Sequence, residues 1–171
     1  VTEGGSINWE KTRAYTLGLC GISLNRQGRE DKGCVTPAEA ESLILEIAEK
    51  LSGLTHGGSA VFREVLPASR AYAGPYSEDA PDLVVGFKVG FAMNKEASRG
   101  KVGRCVVVEN DLRWVADHGF SAAEVPGVLF SSLSLKEGAR LEDLAPTILK
   151  LFGVTPPPYI DGRSLWTEMA P

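Results

Sequence analysis

The residues best suited to chemistry are Asp117, His118 and Gly119, an acid, an imidazole and a turn former in succession. An imidazole and a carboxylate side by side suit a divalent metal. The triplet lies between two apolar runs, Val106 to Val108 and Val125 to Phe130, and short apolar runs read as buried strands. Loops at strand ends are where open α/β sheets collect their ligands. A hydrogen-bonded turn built from Asp and Gly is the competing reading. A second candidate is Asn25-Arg26-Gln27-Gly28-Arg29-Glu30. There Arg26 and Arg29 on a glycine-bearing loop suit an anion, whereas internal pairing of Arg29 with Glu30 or Asp31 leaves them as ordinary surface charges. His56, in Leu54-Thr55-His56-Gly57-Gly58, has no ligand partner near it in sequence and reads as solvent-exposed.

Several elements must position these loops. Tyr15, Leu17 and Leu19 alternate, then Cys20-Gly21 gives way to Ile22 and Leu24, so a β-hairpin with a glycine-containing turn is predicted. Thr36-Pro37-Ala38-Glu39 has the form of a capping box with proline at the first helical position. Ala40, Leu43, Ile44, Ile47 and Leu51 then make one apolar stripe, which Gly53 closes. Val61-Phe62 and Leu83-Val84-Val85 predict two further strands, with a helical turn between Ala68 and Tyr76. Asp79 and Asp82 read as turn formers ahead of the second of these strands, and Gly86 and Gly90 predict a close backbone approach. Leu141 to Pro146 opens a last helix with Ile148, Leu149, Leu151 and Phe152 as its buried face; Tyr159 and Trp166 in the tail are expected to dock. Strands alternating with helices make the chain α/β.

Composition limits the function classes. The 171 residues are 43% apolar, enough for one folded piece spanning 1–171 with residues 1–13 as a loose lead-in. With 18 basic and 22 acidic residues mixed along the chain, neither nucleic acid nor an anionic membrane is favoured as a partner. No stretch is apolar enough for a membrane helix, and Val1 to Trp9 lacks the regions of a signal peptide. Cys20, Cys34 and Cys105 are odd in number and lack CxxC spacing. They read as buried free thiols, which points to a cytoplasmic protein. The opening at Val1, without a methionine, reads as the start of a piece cut from a longer chain.

Three ordered blocks carry a family resemblance. The first runs from Trp9-Glu10-Lys11-Thr12-Arg13-Ala14-Tyr15 through Gly21 to Asn25 and Gly28-Arg29-Glu30. The second is Trp114 with Asp117-His118-Gly119 and Val125-Pro126-Gly127-Val128-Leu129-Phe130-Ser131. The third runs from Leu144-Ala145-Pro146-Thr147-Ile148-Leu149 through Gly153 to Asp161-Gly162-Arg163-Ser164-Leu165. Together they resemble the C-terminal part of the alkaline phosphatase superfamily, in its phosphohydrolase and phosphomutase group related to type I phosphodiesterases and nucleotide pyrophosphatases. The resemblance implies part of an alkaline-phosphatase-like sheet flanked by helices, an N-terminal β-hairpin, and hydrolysis of small phosphate esters.

It also implies two divalent ions, zinc or manganese, and a Thr or Ser nucleophile. His118 matches the family's last histidine ligand, with Asp117 orienting that ring or bordering the pocket. The chain has only two histidines and lacks the nucleophile segment and the upstream Asp-His pair of the family. On that resemblance the isolated chain is expected to be inactive and to bind no metal tightly, its main partner being the rest of a parent enzyme. A homodimer that covers sheet edges is a further expectation. Two alternatives remain open: a non-catalytic module binding a partner or an anion through Arg26 and Arg29, and one half of a split enzyme.

Overall fold

The computed structural model describes residues 7–16, 18, 20–94, 105–111, 113 and 118–167. The chain was expected to form a single piece, but it gathers into two compact units, Val1–Pro126 and Gly127–Pro171. In the first unit β1 (Ala14–Thr16) and β2 (Gly21–Leu24) form the predicted antiparallel hairpin. Helix α1 (Pro37–Ser52) follows. Its start is fixed locally, because the Glu39 carboxylate accepts from the Thr36 amide at 3.0 Å and from the Thr36 hydroxyl at 2.6 Å. That exchange satisfies donors the first turn cannot pair within the helix and holds the Glu39 carboxyl below its ordinary pKa.

Past Gly53, strands β3 (Thr55–His56) and β4 (Ser59–Ala60) form a minimal hairpin. Gly57 and Gly58 both take positive φ at its turn, where the right-handed twist of the strands favours such residues. Strand β5 (Phe62–Pro67), the single helical turn α2 (Ala68–Ala71) and β6 (Leu83–Phe87) complete the sheet. Its order is β1-β2-β6-β5 with all neighbours antiparallel. Strands β2 and β5 therefore run parallel to each other with β6 inserted between them, and α1 is the crossover that joins them. This is a split β-α-β unit. The α/β reading holds in this mixed form.

Two small apolar clusters support the sheet. Leu24, Val35, Ala40 and Leu43 form one, with Ile44 and Ile47 packed against it, as the α1 stripe predicted. Val61, Val85 and Phe87 form the other, with Phe62, Leu51 and Phe120 around it, and Phe62 and Phe87 stack with ring centroids 4.9 Å apart. Each fully buried leucine here, such as Leu24 or Leu83, contributes about 1.5–3 kcal/mol relative to exposure.

The lead-in is not loose where the structure describes it. Thr12 donates from its amide (3.0 Å) and its hydroxyl (2.8 Å) to the Asn8 carbonyl, and Trp9 packs edge-on against Tyr15 at 5.3 Å. Asn25, 1% exposed, explains the order. Its side-chain amide donates to the carbonyls of Trp9 (2.7 Å), Thr12 (2.9 Å) and Lys32 (3.0 Å), tying three stretches of chain to one group. Beside it, a Cβ on Gly33 would lie 2.0 Å from the Arg26 carbonyl oxygen, so only glycine fits.

Other expectations fail. Neither Val106 to Val108 nor Val125 to Phe130 is a strand, and Val106, Val128 and Phe130 are 90%, 78% and 91% exposed. An apolar run becomes a strand only when another edge supplies a hydrogen-bond ladder; among the described residues neither run has one, and Pro126 and Gly127 further weaken the second.

In the second unit the final helix, α3, spans Leu144–Leu151 after a 3₁₀ turn at Leu141–Asp143. Its buried residues are Pro146 and Thr147, while Ile148 and Phe152 are 53% and 81% exposed. The polar side is buried because the tail bonds to it: Thr147 donates its hydroxyl to the Asp143 carbonyl (2.6 Å) and accepts from the Leu165 amide (2.8 Å). The Asp143 carboxylate accepts from the amides of Arg140 (2.9 Å) and Arg163 (2.8 Å), and Leu165 is fully buried. Trp166 is half-buried and its backbone forms an antiparallel bridge with Leu135, whereas Tyr159 stays 82% exposed. Of the thiols, Cys20 and Cys34 are partly buried and Cys105 is exposed, against the expectation that all three are buried.

Candidate functional site

His118 is exposed, on the chain that leads directly onto the sheet. Strand β6 is paired with β5 along one edge and with β2 only over its first residues on the other. The vacant remainder of that second edge is taken by Gly119 to Ser121. The Phe87 amide donates to the Gly119 carbonyl at 3.0 Å, and Phe87 and Phe120 form a parallel bridge. Above Gly86, the Ser121 hydroxyl donates to Glu64 Oε1 at 2.6 Å, and a Cβ at Gly86 would lie 2.9 Å from the Ser121 Cβ. The close approach read from Gly86 is thus the seat of this segment. Gly90 instead makes a turn at φ +94° with open space around it.

Asp117 lies outside the described residues, as do Trp114 and most of the polar stretch 93–103. Among the described residues no group of three or more His, Cys, Asp or Glu side chains converges as a metal would need. His118 by itself supplies one ligand, and a single imidazole does not make a dinuclear centre. His56 is exposed on β3, as read from the sequence.

Arg26 and Arg29 come together around a group that the sequence reading took for a turn former. Asp82 is 5% exposed and stands just ahead of β6. Its Oδ2 accepts from the Leu24 amide at 2.6 Å and from Arg29 at 2.8 Å, and its Oδ1 pairs with Arg26. The carboxylate thus fastens β2 and the loop after it to the start of β6. Arg29 has little left for a ligand. Its Nε donates to Glu30 at 2.7 Å and a terminal nitrogen donates to the Leu24 carbonyl at 2.7 Å. Burial alone would lower the Arg29 pKa, but the bonds to Asp82 and Glu30 outweigh it and raise it. Glu30 also accepts from the Tyr15 hydroxyl at 3.1 Å; burial first, then that bond, pushes the Tyr15 pKa up.

Arg26 differs from Arg29. Among the described residues its guanidinium has Asp82 as its one partner, and its Nε is buried with no acceptor. Beside it opens a cleft of about 570 Å³, bordered by Arg29, Pro37, Ile44, Pro67 and Asp82. An adjoining hollow of about 470 Å³ continues along α1 past Glu41 and Leu45. No signal in the sequence marks Asp82 as the partner of Arg26 and Arg29, because two arginines three residues apart are satisfied by water as readily as by a carboxylate.

No protein-family model, curated protein or solved structure matches this chain.

Proposed function

We propose that this chain is the C-terminal portion of a metal-dependent phosphohydrolase resembling the alkaline phosphatase superfamily, with His118 as one metal ligand. The observation that carries the proposal is the exposure of His118 immediately before a segment that is pinned to β6. A ligand must meet a cavity or solvent while its backbone is held. A histidine turned into either apolar cluster would have been unable to serve. The ordered blocks of sequence that carry the resemblance lend support.

On this reading the remaining ligands and the nucleophile lie outside this chain, which contributes one imidazole and the scaffold behind it. Such a centre would supply Lewis-acid chemistry to a phosphoryl group, and the His118 imidazole is the one ligand this chain would offer it. The decisive assay follows hydrolysis of p-nitrophenyl phosphate and bis(p-nitrophenyl) phosphate with added zinc or manganese. The 171-residue chain is expected to be inactive. A longer protein that carries the nucleophile region is expected to be active and to lose roughly 100-fold or more in kcat on His118→Ala, at or beyond the cost of losing a mere ring-orienting partner. Unchanged activity in that variant removes His118 from the site.

A further inference from the structure

We propose that the cleft between α1 and the β5–α2 junction binds a small monocarboxylic acid with an apolar body, its carboxylate held by Arg26. This inference does not rest on the phosphohydrolase reading. A guanidinium has five N–H donors in a fixed fork and is satisfied by planar acceptors. Arg29, next to it, spends its donors on Asp82, Glu30 and the Leu24 carbonyl. Arg26 spends one terminal nitrogen on Asp82, keeps a buried Nε without an acceptor, and leaves 37% of its side chain accessible beside the cleft. Asp82 fixes that guanidinium in place before any ligand arrives, which lowers the ordering cost of binding.

The chemistry of the walls selects the ligand. Pro37, Ile44 and Pro67 give an apolar surface against which a ring or a branched chain can pack. The volume, about 570 Å³, lies within the roughly 300–1,000 Å³ of small-molecule sites. Glu78 on the main cleft and Glu41 on its extension add negative charge at the rim. With Asp82 and Glu30 balancing Arg26 and Arg29, the rim acids Glu78 and Glu41 repel a dianion such as phosphate about twice as strongly as a single carboxylate, and only the carboxylate on an apolar body also gains the apolar wall.

The test uses the whole chain and three probes, phenylacetate, its uncharged analogue phenylacetamide, and inorganic phosphate, followed by amide chemical shifts in NMR titrations. Phenylacetate is expected to shift the amides around Arg26, Ile44 and Ser69 saturably. Phenylacetamide and phosphate should bind at least tenfold more weakly. Arg26→Gln should weaken phenylacetate by tenfold or more. Because that variant also loses a partner of Asp82, Glu41→Gln provides a second reading: this exposed rim acid makes no hydrogen bond or ion pair among the described residues, and its neutralisation should tighten phenylacetate two- to fivefold. Equal binding of the acid and the amide, equal or tighter binding of phosphate, or a Glu41→Gln variant with unchanged or weaker affinity overturns the proposal.

Discussion

Replacing Asp82 by Asn tests whether one carboxylate fastens the first unit. The side chain is nearly isosteric, so packing is preserved while the charge is removed and one acceptor oxygen becomes a donor facing two guanidinium groups. Asp82 loses its pairing with Arg26 and with Arg29, and the strength of its 2.6 Å bond to the Leu24 amide falls as well. Breaking a buried ion pair costs about 3–5 kcal/mol. Here the arginine side chains are 37% and 36% exposed, so water recovers part of the loss and the lower end, about 3 kcal/mol, applies. With a urea m-value of about 2 kcal/mol/M the midpoint should fall by roughly 1.5 M at constant m. Melting should fall by roughly 10 °C. Far-UV circular dichroism during urea titration measures both the midpoint and m. Arg29→Met in the same background supplies the cycle: the double variant should be less destabilised than the sum of the singles by about 1–2 kcal/mol. A midpoint shift under about 0.3 M, or strict additivity, refutes the idea that Asp82 fastens β2 to β6.

Two further outcomes are expected. Gly33→Ala should destabilise by at least about 2 kcal/mol through overpacking, since its Cβ would meet the Arg26 carbonyl at 2.0 Å, while Gly127→Ala, with nothing within 4 Å, should stay within about 0.5 kcal/mol; paired urea titrations decide it. The bonds from the Arg163 and Arg140 amides hold the Asp143 carboxyl below its ordinary pKa. A depressed folded-state pKa adds stability above the unfolded value of about 3.9 that is lost as pH falls through the folded one. Melting curves of the native chain and Asp143→Asn should therefore lie apart at pH 6 and draw steadily together as pH falls below the unfolded value of about 3.9, and a gap that stays constant into acid contradicts this.

What was legible in the sequence was local. The start of α1 is written in Thr36, Pro37 and Glu39 within a single turn, and its stripe packs from Ala40 to Ile47 against one cluster and at Leu51 against the other. The hairpin and the β5 and β6 runs were legible for the same reason, because alternation and glycine turns act over a few residues. Pairing between distant strands was not legible, since the insertion of β6 between β2 and β5 depends on Asp82 reaching Leu24, Arg26 and Arg29. Val106 to Val108 looked like a strand, yet no edge receives it among the described residues. The face of α3 was misjudged because Ile148 and Phe152 advertise burial by type. The tail chose the opposite side for its hydrogen bonds to Asp143 and Thr147. At the candidate site the imidazole and both arginines could be named from sequence, but the carboxylate between the arginines could not.

Position 25 illustrates how chemistry, not size, can dictate a residue. Trp9, Thr12 and Lys32 all turn carbonyl oxygens toward one side-chain nitrogen. An aspartate of nearly the same shape would bring oxygen against oxygen at all three, so spontaneous loss of ammonia from this single amide would unpick the amino-terminal arm from the body.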